Sequence, residues 1–125
     1  MLFDTDVVIW ALRGRPNAAE AIEGDSARAI SVVSYMELIR GARDKREVRM
    51  IKSLLVQAAF RSLPLSENIG HRASIYMEEF GLKCGMDMAD ALLAATAVEN
   101  DLPLCTGNAR HYRPVSDLVL RAFLP

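Results

Sequence analysis

Cysteine is scarce in this 125-residue chain: Cys84 and Cys105 stand alone, with no metal-like spacing. That excludes a disulfide scaffold and a thiolate zinc centre, and leaves two thiols expected to be reduced, as in a cytosolic protein. Histidine is scarcer than a metal cluster needs, with two residues in all. Charge of one sign is also lacking: 15 Lys and Arg face 16 Asp and Glu, for a formal net charge of −1. No global basic field therefore draws nucleic acid, and any basic surface must be local. No apolar run reaches membrane-spanning length, about 20 residues, so no membrane partner is expected. The apolar N-terminus is broken by Asp4 and Asp6, unlike a signal peptide. With no repeat, low-complexity tract or linker, residues 1–125 read as one domain with a real core.

What the chain does have is a small, apolar stretch near its end, from Met86 to Thr106. Ala89 to Val98 reads as a helix, because Ala and Leu are strong helix formers, and its apolarity on all sides predicts burial on most faces. Asn100 and Asp101 break it, and Leu102 to Cys105 reads as a short buried strand. Asp90 falls in the first turn of that helix, with Asp87 placed to cap it.

Earlier in the chain, Leu2-Phe3 reads as a short strand ending near Asp4, with a helix just after it. Asp4 then lies at the carboxyl end of a strand, the edge where open α/β sheets bind ligands. Asp6 fits the role of helix cap. Further elements follow: a helix over 17–22, a strand over 27–31, and a helix capped by Ser31 or Ser34, carrying Glu37 and stopping near Gly41. Next come a helix over 47–59, a strand over 60–63, and a helix from Ser66 to about Phe80, closed by Gly81. Gly107 to Tyr112 reads as a loop or short turn, and Leu118 to Leu120 as a last strand. This alternation predicts a parallel sheet covered by helices. Arg40, Arg43, Lys45, Arg46, Arg49 and Lys52 form the one basic cluster, readable as a solvated helical face or as a phosphate-contacting rim.

Assembled, these pieces bring Asp4, Glu37 and Asp90 toward one sheet edge, with Thr106 ending a central strand and able to orient a carboxylate or water. Gathered carboxylates repel one another unless a cation neutralises them. They are hard oxygen ligands, suited to magnesium or manganese.

The motifs carry a resemblance. Leu-Phe-Asp4-Thr5-Asp6-Val-Val-Ile, Ser34-Tyr35-Met36-Glu37-Leu38 with Gly41, Asp87-Met-Ala-Asp90-Ala-Leu-Leu-Ala-Ala-Thr, and Thr106-Gly107-Asn108-Ala-Arg110-His111-Tyr112 stand in this order. Together they resemble the PIN-domain ribonucleases, above all the VapC-type toxins of bacterial toxin–antitoxin pairs. The resemblance implies a three-layer α/β/α fold with a central parallel sheet, and a homodimer. It implies a Mg2+- or Mn2+-dependent endoribonuclease acting on tRNA, rRNA or mRNA, cytoplasmic, and neutralised by a VapB-type, DNA-binding antitoxin. The family's catalytic and metal-site acids fall on Asp4, Glu37 and Asp90. Thr5, Asp6, Asp87, Thr106 and Asn108 are expected to support them, and Arg40, Arg43 and Arg46 to meet RNA. There are two departures. Asp6 stands where the family more often has Asn, adding negative charge, and Asn108 stands where a fourth acid can occur, which puts the occupancy of a second metal site in question.

Three other readings compete. Asp4-x-Asp6 and Leu104-Cys105-Thr106-Gly107-Asn108 resemble haloacid-dehalogenase-like phosphatases, but no lysine follows Thr106. A response-regulator-like receiver needs that lysine too, and an aspartate where Leu63-Pro64-Leu65 stands. A catalytically idle binding protein on the same fold is the third, resting on Asn108.

Overall fold

Five short parallel strands form one sheet in the computed structural model, which describes residues 1–125. They are β1 (Leu2–Phe3), β2 (Ala29–Ser31), β3 (Arg61–Leu63), β4 (Leu104–Thr106) and β5 (Leu120–Ala122). Seven helices connect or cover them: α1 (Thr5–Leu12), α2 (Pro16–Glu23), α3 (Val32–Gly41), α4 (Lys45–Gln57), α5 (Glu67–Cys84), α6 (Met88–Glu99) and α7 (Ala109–Tyr112). No helix is long and apolar enough to cross a membrane.

The strand order is β3-β2-β1-β4-β5. The chain therefore leaves β1 toward one side of the sheet and later returns to β1's other side through β4. The direction of winding reverses between β1 and β4, which in open α/β sheets opens a crevice outside the carboxyl ends of the strands. Asp4 follows β1 directly and Thr106 ends β4, so both flank that crevice.

Strand side chains alternate between faces, and the chain uses this to build two cores. Leu2, Ala29 and Leu104 face a cluster with α5 and α6 that includes Tyr76, Leu93 and Ala94. Their neighbours Phe3, Ile30 and Cys105 face a second cluster with α1, α2 and α4 that includes Val7, Ile22 and Ile51. The result is the three-layer α/β/α arrangement. The third helix, α3, contributes Val33 to the first cluster and Leu38 to the second.

The small residues of α6 explain its depth. Ala91, Leu93, Ala94, Ala95, Thr96 and Ala97 are all buried, and the helix lies along α5. Asp87 caps it, its carboxylate accepting from the Asp90 amide at 2.9 Å. Asp101 ends the segment in the left-handed region, at φ 54°.

Several boundaries differ from the sequence reading. Helix α5 runs through Gly81 and stops at Gly85, whose φ of 68° only glycine adopts without strain. Of the loop or short turn expected after Thr106, Ala109–Tyr112 forms a single helical turn. The last strand is not Leu118 to Leu120 but Leu120–Ala122, in register with β4 through Leu104–Leu120 and Thr106–Ala122. Asp6 does not cap α1; Asp4 does, accepting from the Thr5 amide at 2.7 Å. Cys84 and Cys105 are both free thiols, but Cys84 is exposed, whereas burial pushes the Cys105 thiol up to about 11.

Candidate active site

Asp4 ends β1 and begins α1, and only 8 % of it is exposed. A carboxylate so deep needs donors, and three supply them. The Thr5 amide donates to Oδ1. The Thr106 hydroxyl donates to Oδ2 at 2.8 Å, and the Tyr112 hydroxyl lies 3.0 Å from the same oxygen. Burial still wins, raising the proton affinity of Asp4, with a further rise from the Glu37 charge.

Asp90, in the first turn of α6, reaches the same place from the other side. Its Oδ1 lies 3.0 Å from the Tyr112 hydroxyl, and its Oδ2 lies 3.5 Å from His111 Nδ1. Burial, then the charges of Asp87 and Asp4, push its proton affinity up, against the Tyr112 hydrogen bond. Glu37 comes from α3. Its Oε1 accepts from the Thr5 hydroxyl at 2.6 Å, and that hydroxyl is paired with the buried Ser34 hydroxyl at 2.9 Å. The three acids are thus spaced by hydroxyls: Tyr112 between Asp4 and Asp90, and Thr5 at Glu37. No three Asp, Glu, His or Cys side chains touch as one compact ligand set. Like charges in a low-dielectric crevice stay apart unless a cation offsets them.

Asp6 points from α1 to the β4–α7 turn. Its Oδ2 accepts from the Gly107 amide at 2.9 Å and from Asn108 Nδ2 at 3.3 Å. A Cβ on residue 107 would lie 2.6 Å from that oxygen, so any larger residue there would push the Asp6 carboxylate off the turn. The other oxygen, Oδ1, is buried without a partner. Burial and the Asp4 charge push Asp6 up to about 6. An acid raised on folding destabilises the folded state once pH exceeds its unfolded value, about 3.9, and does so fully above its folded value. Asp6→Asn is therefore expected to stabilise the cation-free protein above pH 6, by on the order of 1 kcal/mol once solvent screening of this half-buried group is allowed for. The gain should vanish below about pH 4. Melting curves across that range check it, and a pH-independent difference would assign the effect to packing.

The remaining expected residues fall further out. Asp87 is exposed and serves as a cap. Asn108 donates through its amide to Thr106 Oγ1 at 3.0 Å and through its side chain to Asp6. Arg40, Arg43 and Arg46 are exposed along the end of α3 and the start of α4, with Arg43 paired to Glu47 at 3.0 Å. Asp117 is tied to Arg72 and Tyr76, away from the acids. Tyr112 was not singled out from the sequence. Its one signal is a polar-tipped aromatic closing the last motif.

A groove of about 660 Å³ opens beside Glu37, lined by Ile9, Leu12, Leu38, Met50 and Ile51, with Arg13, Arg43 and Glu47 at its rim. Nearby, Trp10 carries Arg13 and Arg15 over its ring, at 5.5 and 4.8 Å from the centroid.

Fold and site together define a class: an α/β/α domain with acids collected where the winding of a parallel sheet reverses. The family model described as "PIN domain" matches residues 1–115. The chain belongs to the PIN-domain family. It is 40% identical over 116 residues to ribonuclease VapC10 of Mycobacterium tuberculosis, covering 90% of this chain and 85% of that one. It is also similar to a chain of a toxin–antitoxin complex from Klebsiella pneumoniae, with 28% identity, TM-score 0.79 and 94% of each chain covered. A chain of DNA-bound VapBC from Salmonella typhimurium shares the fold, with TM-score 0.86 at 19% identity over 98% of this chain and 97% of that one.

Proposed function

We propose that this protein is a Mg2+- or Mn2+-dependent endoribonuclease, the toxin of a toxin–antitoxin pair, acting as a single domain in the cytoplasm. The observation that carries the reading is the set Asp4, Glu37 and Asp90, approached from β1, α3 and α6 and fastened by hydroxyls at the switch point of the sheet. The donor set fits a hard divalent cation: carboxylate oxygens, with no thiolate or imidazole cluster beside them. Asp4, Asp90 and Glu37 would hold it. When bound, such an ion lowers the pKa of water and offsets charge developing on a phosphodiester.

The chain's own residues do the rest. Thr106 and Thr5 fix the orientation of Asp4 and Glu37, so the carboxylates need not reorganise during the reaction. Exposed Arg40 and Arg46 offer charge to phosphates, while Arg43 is partly spent on Glu47. The purified protein should cut structured RNA with Mg2+ or Mn2+ and stop with EDTA. Cleavage that persists in EDTA would point to another mechanism or a contaminant.

An antitoxin fits the groove beside Glu37. Apolar side chains of a docking segment would fill the space over Leu12 and Met50, and a basic one would meet Glu37. Leu12→Asp should shed a co-expressed antitoxin while the toxin alone keeps a homodimeric mass, near twice 13.8 kDa. Light scattering after size exclusion reads both. An intact complex in Leu12→Asp would move the docking surface elsewhere, and a monomeric toxin would overturn the homodimer.

A further inference from the structure

One hydroxyl touches two of the three acids. Tyr112 is 1% exposed, its ring seated in the cluster formed with α5 and α6, so its oxygen has little freedom to move. That oxygen lies 3.0 Å from Asp4 Oδ2 and 3.0 Å from Asp90 Oδ1. The two carboxylate oxygens are therefore no more than twice that distance apart. The contact matters unequally to its partners. Asp4 has two other donors, the Thr5 amide and the Thr106 hydroxyl. Asp90 has only the half-exposed His111 at 3.5 Å besides Tyr112. Tyr112 occupies one oxygen of each acid and leaves Asp4 Oδ1 and Asp90 Oδ2 with unused acceptor capacity.

We propose that Tyr112 is a positioning residue, whose hydroxyl sets the spacing of Asp4 and Asp90 and through them the affinity of the site for its divalent cation. This rests on reading Asp4, Glu37 and Asp90 as the cation holders. Groups that orient carboxylate ligands commonly contribute tenfold or more to metal affinity. A phenol has a single proton, so it cannot donate to both acids at once. The arrangement acts by alternation between them or by a fixed choice of one, and in either case the oxygen keeps the pair at a set separation.

The test is a calorimetric Mn2+ titration of native protein, Tyr112→Phe and Asp90→Asn, with melting temperatures alongside. Tyr112→Phe keeps the ring in place and is expected to weaken Mn2+ binding by about tenfold. The Mn2+ concentration for half-maximal RNA cleavage should rise by a similar factor, with a smaller loss of rate at saturating Mn2+. A purely structural residue would lower the melting temperature and leave Mn2+ affinity alone. Replacing Tyr112 with 4-aminophenylalanine restores a donor with two protons, one for each acid, and should return affinity to the native value; this variant also serves if Tyr112→Phe folds poorly. Mn2+ affinity within twofold of native in Tyr112→Phe, or no recovery with the amine, overturns the proposal while loss of binding in Asp90→Asn leaves the cation site standing. Identical Mn2+ binding by native protein and Asp90→Asn, or none by either, removes the cation site itself and this inference with it.

Discussion

Asp90→Asn is expected to lower RNA cleavage by about a hundredfold or more at an unchanged or higher melting temperature. The amide keeps the shape of the carboxylate, and its oxygen can still accept from the Tyr112 hydroxyl, which now lies 3.0 Å from Asp90 Oδ1. What is lost is one negative charge of the three. A cation held by fewer anionic oxygens binds more weakly, and its contribution to lowering the barrier is several kcal/mol in metal-assisted hydrolysis. Since about 1.4 kcal/mol is tenfold in rate, losing ~3 kcal/mol gives a hundredfold. Stability moves the other way. Asp90 holds its proton more tightly than an exposed aspartate because it is buried and faces Asp87 and Asp4. An acid raised on folding costs stability at neutral pH, and the amide carries no such cost. The contact with His111, whose side chain is 46% exposed, is worth little there. Initial rates with a defined RNA, together with thermal melting without added metal, measure both. Equal cleavage by native and Asp90→Asn protein would mean a misassigned site or a contaminating nuclease.

Local pattern placed the acids, but it took their convergence on one sheet edge and the four motifs in order to single them out as a set. Asp4 follows two apolar residues and precedes a helix; Asp90 interrupts a run of small apolar ones; Glu37 stands between Met36 and Leu38. The central strands were legible from local pattern too, since β1, β2 and β4 are buried throughout. Of the two edge strands, β3 was legible over 60–63, but the bounds of the last strand were not. Two of the three residues in β3 and in β5 are exposed, so hydrophobicity drew the last strand toward Leu118 although the ladder is formed by Leu120, Arg121 and Ala122. Backbone pairing, not side-chain character, defines an edge.

What connects the acids was less visible. Tyr112 meets Asp4 across 108 positions and Asp90 across 22, and no periodicity reports contacts of that range. Asp6 misled in a different way. Two aspartates flank Thr5, and either could cap the helix; the strand's end fixes Asp4 in the cap, which turns Asp6 toward Gly107 instead. Its carboxylate beside Asn108 means that negative charge lost from the closing turn stands on α1, within hydrogen-bonding reach of the same turn.

Thr106→Val is expected to damage both activity and stability, although valine matches threonine in shape. Thr106 is completely buried at the end of β4. Its hydroxyl donates to Asp4 Oδ2 at 2.8 Å and accepts from the Asn108 amide at 3.0 Å. Removing it strips a donor from a carboxylate that is 8% exposed and leaves an amide short of its acceptor. A buried polar group without its partner costs about 1–3 kcal/mol, and more when it is charged. Cleavage should fall by about tenfold to a hundredfold, as when other groups that orient metal-binding carboxylates are removed. The pH dependence separates this from simple loss of packing. The Thr106 hydrogen bond is the strongest of those opposing the effect of burial on Asp4, so its loss raises that carboxyl's proton affinity further. The acid limb of the pH–rate profile then moves to higher pH. The stability deficit should be smallest at low pH, where Asp4 is protonated in the folded state of both proteins, and should grow as pH rises through the raised folded value of native Asp4. Thr106→Ser, which keeps the hydroxyl, should restore the native profile. A Thr106→Val protein with native rate and an unshifted acid limb would show that Asp4 is held without it.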